Sequence, residues 1–287
     1  MKRKSLSVVL ATFNEEKNLP DCLESVKGLA DEIIIVDGTS KDKTVENAKK
    51  FGAKVIVTNN PPIFHINKQK ALDTATKEWI LQLDADERVS PELAHEIEKI
   101  LSMTNQEIGK YEERLPDKEL FNRHQELLEK RDGQIGAGGN YAGFFVPRLN
   151  YFLGKYLRYG GVYPDGVIRL VKKGKAHFPC KDVHEQIVVD GKVGWLQSPL
   201  YHYDSPTFFR YIQRNNRYTS LMAAEFKGKK LGKHIINDFK YLIVLPVWWF
   251  FLTFIRHKGF LDGWRGFVFS FFSAMRFPVS YTKYLSK

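Results

Sequence analysis

The chain has 287 residues, 43% of them hydrophobic and 27% charged, which is the makeup of a folded protein and excludes a disordered one. Its two cysteines, Cys22 and Cys180, exclude a disulfide framework and a cysteine-built metal module, and they fit a reducing compartment. The net charge of +11 sits at one end: residues 205–287 hold 14 Lys and Arg against three acids, Glu225, Asp238 and Asp262, with 21 of the 39 aromatic residues. A basic, aromatic-rich segment on a neutral body points to a membrane surface or a nucleic acid.

The N-terminal MKRKSLSVVLATFNEE starts basic, but its apolar run is too short for a signal peptide and reads as a core strand over 6–13. A helix follows from about Leu19 to Leu29. EIIIVDG (32–38) is a second strand, rich in the β-branched residues that suit a sheet buried on both faces. A helix opening near Ser40 or Lys41 stops near Gly52, KVIVTN (54–59) is a third strand, and INKQKALDTAT (66–76) is a helix. WILQLDADE closes the unit. Such alternation predicts an α/β fold with a largely parallel sheet, whose ligand lies beyond the carboxyl ends of the strands. Residues 104–136 break the pattern as a charged helical insertion expected to be solvated, ending in the flexible GAGGN. Strand-rich sequence with turns at KKGK and Asp190-Gly191 fills 137–204.

The remainder, 205–287, is helical in outline. Its apolar run 241–255 has 15 residues and contains Pro246, short of the roughly 20 that a crossing needs. It is expected to lie in the membrane interface, with Trp248, Trp249 and Trp264 at headgroup level. The alternative is burial against a second subunit, giving a homodimer. RNA-reading motifs are absent, so no nucleic acid is expected, although a membrane- or nucleic-acid-binding module is the non-enzyme reading of this segment.

Three strand ends carry the chemistry. The first ends in Thr12-Phe13-Asn14-Glu15, the second in Asp37-Gly38-Thr39-Ser40, and the fourth in Asp84-Ala85-Asp86. Alternation along a strand lets Asp84 and Asp86 face the same way, an arrangement suited to a divalent ion bridging protein and diphosphate. Repulsion among Asp37, Asp84 and Asp86 would be unfavourable without a cation or donors between them.

The series VVLATFNEE, IIIVDGTSKDKT, NKQKALDTA and WILQLDADE resembles glycosyltransferase family 2, and NYAGFFVPRLNYFLGKYLRYGGVYPDGVIRL, DVHEQ and NNRYT resemble its bacterial lipopolysaccharide-core glucosyltransferases. The resemblance implies the GT-A fold, a Rossmann-like mixed sheet in which 1–103 binds the nucleotide sugar and 137–204 the acceptor, followed by the amphipathic, aromatic helical segment. It implies that Thr12, Asn14 and Glu15 line the nucleoside pocket and that Asp37 hydrogen-bonds the uracil. Lys68 and Lys70 would lie near the base or diphosphate, Asp84 would touch ribose or metal, and Asp86 would ligate Mg²⁺ or Mn²⁺. The donor implied is a UDP-sugar, UDP-glucose by the subgroup, and the acceptor a lipid-linked saccharide at the cytoplasmic face of the membrane, where the enzyme is peripheral. A same-fold enzyme acting on polyprenyl phosphate or a peptide side chain is the second reading. Inversion needs a base, and an ionised carboxylate suits the task. Asp182, His184 and Glu185 are the candidates; the subgroup points to Glu185 as base and His184 as metal ligand or hydrogen-bond partner, with Asp165 in reserve.

Overall fold

In a computed structural model, residues 3–181, 186–229, 231–232 and 234–286 are described. Asp182, His184 and Glu185 therefore lie outside the described residues. The chain divides into two units, one of residues 1–148 with 164–202 and one of 149–163 with 203–287.

The first unit is built on apolar strands, of which β3 is a partly exposed edge and the others are largely buried on both faces. β1 (Leu6–Thr12), β2 (Glu32–Asp37), β3 (Lys54–Val57) and β4 (Trp79–Leu83) pair in parallel in the order β3-β2-β1-β4. Val8, Leu10, Ile35, Leu81 and Leu83 are fully buried between the helices α1 (Leu19–Glu24), α2 (Thr44–Lys50) and α3 (His65–Thr74) and the rest of the core. The chain runs outward from β1 to β3 and returns to β4 on the other side of β1, so a switch point lies between β1 and β4, where such sheets open a crevice for ligands. Register sets Thr12 beside Asp37 and Leu10 beside Leu83, which aligns the three strand ends along one edge.

Beyond β4 the sheet turns antiparallel, so it is mixed. A short β5 (Glu87–Val89) follows β4, and α4 (Pro91–Ser102) leads into α5 (Asn105–Glu113) and α6 (Lys118–Asp132). β6 (Tyr141–Phe152), β7 (Lys155–Leu157) and β8 (Asp165–Lys172) come next; β8 is the antiparallel neighbour of both β4 and β6. β9 (Ala176–His177) pairs with β10 (Val188–Val189), β11 (Lys192–Trp195) lies parallel to β6, and β12 (Leu200–Ser205) pairs through Leu200–His202 with β5. The turn at Asp190-Gly191 thus joins strands that pair elsewhere.

One side of the insertion is buried, where sequence alone predicts solvation. Phe121 of α6 is inaccessible and stacks on Trp195 at 4.6 Å, and the other face of that indole lies on Phe145 at 4.5 Å. Gly166 passes so close to the Trp195 ring that a Cβ would overlap it. The His124 ring accepts a hydrogen bond from the Gly166 N–H at 3.2 Å, and burial lowers the imidazole pKa in favour of the neutral form that can accept.

The second unit is helical. The helix Phe208–Gly228, capped by the Thr207 hydroxyl, packs on the helix Trp264–Leu285. A third helix runs from Ile235 to Arg256, 22 residues against the 15 of the apolar run, and it is long and apolar enough to cross a membrane. Pro246 gives it no N–H to donate, and the backbone widens into a π-turn over Lys240–Val244 just before the proline. Tyr281 is fully buried, stacks on Tyr241 at 5.1 Å and donates its hydroxyl to Asp238 at 2.6 Å.

Candidate active site

At the ends of β1 and β2 the loops are tied by side chains rather than by ladder bonds. Asp37 is fully buried and its carboxylate accepts from the Thr12 hydroxyl (2.9 Å), the Ser40 N–H (2.8 Å) and the Ser40 hydroxyl (2.6 Å). The Ser40 hydroxyl accepts from the Asn14 N–H, the Asn14 side chain accepts from the Lys41 N–H, and Thr44 accepts from the Glu15 N–H. Asn14 (φ 56°) and Thr39 (φ 69°) are held in the left-handed region, which costs most for a β-branched residue, and Thr39 is pinned by its hydroxyl bond to the Thr58 carbonyl. The helix expected from Ser40 accordingly begins only at Thr44, because Ser40–Lys43 are used in this loop.

Asp84 and Asp86 do not lie on a strand. The chain leaves β4 after Leu83 and turns, with the Glu87 N–H donating to the Asp84 carbonyl at 3.0 Å, so the two carboxylates find different neighbours. Asp84 meets Lys68 at 2.5 Å and Arg169 at 2.6 Å. Arg169 also meets the fully buried Glu87 at 2.6 Å and the Gln82 side chain, while Arg148 joins Glu87 (3.4 Å) to Asp165 (2.7 Å). Burial raises the cost of charge on Asp84, but Arg169 and Lys68 outweigh it and hold the carboxyl well below the usual carboxylate range. Burial, with Arg169 adding to it and Asp84 opposing, lowers the Lys68 pKa.

Lys68, Asp84, Arg148 and Arg169 line a cavity of about 250 Å³, whose other wall includes Phe64, His65, Phe178, Gln186 and Ile187. The Nε atoms of Arg148 and Arg169 are buried without a hydrogen-bond partner. Lys70, two residues beyond Lys68 and so on the opposite side of α3, is exposed and does not line the cavity. Asp86 instead faces β12, where the His202 Nε2 lies 3.5 Å from its carboxylate. Beneath the turn, the Cys22 thiol donates to the Asp84 carbonyl at 3.6 Å; burial drives its pKa far up and leaves it neutral.

Residues 7–162 match the sequence profile of glycosyl transferase family 2. The chain belongs to that family. It is 31% identical to an uncharacterized glycosyltransferase of Rickettsia typhi over 92% of this chain and 81% of the relative. It is 27% identical to the lipopolysaccharide core biosynthesis glycosyltransferase LpsC of Rhizobium meliloti over 94% of this chain and 91% of that protein. Glucosyl-3-phosphoglycerate synthase of Mycobacterium tuberculosis, solved with Mn²⁺, UDP and its product, matches locally: 25% identity over 29% of this chain and 34% of that one, with a TM-score of 0.27. This family 2 enzyme thus combines an α/β mixed sheet with a C-terminal aromatic helical segment, as the sequence predicts.

Family membership says nothing of Arg148, Arg169, Glu87 and His202, which sequence reading passed over. A signal for one of them was present: Arg169 stands in the otherwise apolar run 167–171, and a charge so placed is buried only when paired.

Among the described residues no three His, Cys, Asp or Glu side chains group as a metal site. Asp86 and His202 are a carboxylate and an imidazole, donors that Mn²⁺ accepts, and Mg²⁺ is commonly held by one or two carboxylates with substrate phosphates and water. The donor set fits an ion completed by its ligand.

Proposed function

We propose that this family 2 enzyme transfers a hexose, glucose by the subgroup likeness, with inversion from a UDP-sugar to a lipid-linked saccharide, in the presence of Mg²⁺ or Mn²⁺. The observation that carries the reading is the Asp86–His202 pair next to a charge cluster with nothing to spare. Lys68, Arg148 and Arg169 are matched by Asp84, Glu87 and Asp165, so the cluster is neutral and offers a diphosphate no surplus positive charge. A divalent ion held by Asp86 and His202 would neutralise the diphosphate as it leaves. Asp84 would be the ribose contact, and Lys68 and Arg169 would turn N–H donors toward phosphate oxygens. The Asp37–Ser40 loop, with Thr12, Asn14 and Glu15, would shape the nucleoside pocket.

In the transfer itself the acceptor hydroxyl oxygen bonds to the anomeric carbon, the bond to UDP breaks, and the proton passes to a carboxylate. Glu185 is our candidate base, with Asp182 and His184 beside it in sequence; Gln186 and Ile187, which follow Glu185, line the cavity with Lys68 and Asp84. The name of the Rhizobium relative supports a lipopolysaccharide-core acceptor. The basic, aromatic second unit supports peripheral attachment at the cytoplasmic face of the membrane.

Asp86→Asn and His202→Gln are each expected to lower transfer by roughly 100-fold or more and to abolish the Mn²⁺-dependent rise in melting temperature with UDP, with circular dichroism unchanged. Full activity in both variants would sink the metal assignment. Glu185→Gln is expected to cost on the order of 10²–10⁴ in turnover while UDP binding persists; undiminished turnover assigns the base elsewhere.

A further inference from the structure

Among the described residues, one guanidinium of the second unit pairs with no side-chain carboxylate. Arg276 stands mid-way along the helix Trp264–Leu285, stacked 4.0 Å from the Trp249 ring centre, and its Nε is buried without a hydrogen-bond partner. The four carboxylates of this unit are each engaged elsewhere. Asp204 pairs with Arg214, Glu225 with Lys229, Asp238 accepts from Tyr281, and Asp262 accepts from the Arg158 and Tyr159 N–H groups. Stacking on an aromatic face recovers part of the cost of burying a cation, but it satisfies none of the five guanidinium N–H donors. Burial accordingly lowers the Arg276 pKa, and the only opposing influence is the phenol of Tyr211.

Arg276 lies in the wall of a cavity of about 250 Å³ between the helices Phe208–Gly228 and Trp264–Leu285. The other polar walls are Asn215, Asn216 and Thr219, of which the Asn216 Oδ1 and Thr219 Oγ1 accept from the Lys283 ammonium at 2.6 and 2.8 Å, and the rest is apolar, including Phe271, Met275 and Val279. Met275 and Val279 also line a second cavity, of about 580 Å³, so the two adjoin. Phe271 and Val279 are exposed, which opens the groove onto a surface that carries Phe267, Trp264 and Leu285. A polar end with a guanidinium, two amides and the Lys283 ammonium at its rim, continued by a channel whose Met275, Pro278 and Val279 side is apolar and which reaches an apolar surface, has the chemistry of one amphiphile.

We propose that this groove binds an anionic glycerophospholipid, its phosphate on Arg276 and the two asparagine amides and an acyl chain along Phe271, Met275 and Val279. The proposal rests on the interfacial placement given above. A free phosphate is the weaker occupant, because it would leave the apolar channel unfilled.

The test uses the full-length protein and a short-chain probe, dihexanoyl phosphatidylglycerol below its micelle concentration, read by tryptophan fluorescence, since Trp249 covers Arg276. A saturable change is expected with this lipid, and none with inorganic phosphate or dihexanoyl phosphatidylcholine at equal concentration. Arg276→Gln is expected to weaken binding by roughly tenfold or more, Arg276→Lys to restore part of it, and Val279→Trp, which fills the channel and keeps the charge, to weaken it as well. Wild-type affinity in both Arg276→Gln and Val279→Trp, or an equal response to inorganic phosphate, overturns the proposal. Flotation of wild-type protein with phosphatidylglycerol vesicles separates the two ideas: vesicle binding without lipid titration rejects the site alone, and loss of both rejects the interfacial placement too.

Discussion

The two units treat charge and grease in opposite ways. In the first, carboxylates and cations are drawn inside: Glu87 is inaccessible, and Lys68 and Arg169 are almost so, each paired at short range. In the second, the interior is largely aromatic and small, with Asp262 and part of Arg276 as buried charges, while Trp248 is 53% exposed, Phe251 58% and Ile235 80%. Burying ion pairs gains little net stability over an apolar core, but it fixes side chains before a ligand arrives. Exposing large apolar groups gains nothing in water. The first unit is arranged for a charged ligand and the second for an apolar surrounding.

Removing one partner from the buried cluster breaks this contrast most directly. Arg169→Met leaves Asp84 with Lys68 alone and strips Glu87 of its closest cation, and is expected to cost roughly 3–5 kcal/mol of stability in urea unfolding. A smaller effect sharpens the account of the insertion. His124, with its pKa lowered in the fold, contributes stability that is present above the unfolded value near pH 6.5 and is lost as pH falls toward the folded value. Wild type is therefore expected to lose up to about 1 kcal/mol more than His124→Gln between pH 7 and 5; parallel pH profiles would show that the Gly166 contact contributes nothing. The smallest change in stability belongs to the other unit. Trp248→Ser and Phe251→Ser, at exposed sites, are expected to stay within about 0.5 kcal/mol in unfolding, yet to reduce vesicle partitioning by roughly tenfold. Unaltered partitioning would remove these helices from the interface.

Alternation of apolar runs was enough to place β1 to β4, because β1, β2 and β4 are largely buried on both faces and all four are rich in Val, Ile and Leu. It failed where side chains override the local pattern. Parity between Asp84 and Asp86 presumed a strand, and the turn that begins after Leu83 is set by the Glu87 bond, which has no signature of its own. His202 comes beside Asp86, 116 positions earlier in sequence, through the antiparallel pairing of Glu87 with His202. The helix Ile235–Arg256 outruns its apolar core because polar residues such as Asn237, Asp238 and Lys240 also adopt helix, and hydropathy alone stops short of them. The charged insertion gives no local sign that Phe121 is buried, because Trp195, its stacking partner, is 74 residues away.

The buried Cys22 has a practical consequence. Its thiol, neutral and sealed under the Asp84 turn, is closed to alkylating reagents, whereas Cys180, the other cysteine of the chain, is partly accessible and stands two residues before Asp182. A fluorescent maleimide therefore has one address in the native protein. It sits next in sequence to the segment proposed to carry the base, so the unmutated enzyme can be labelled there and its emission followed as the proposed substrates are added.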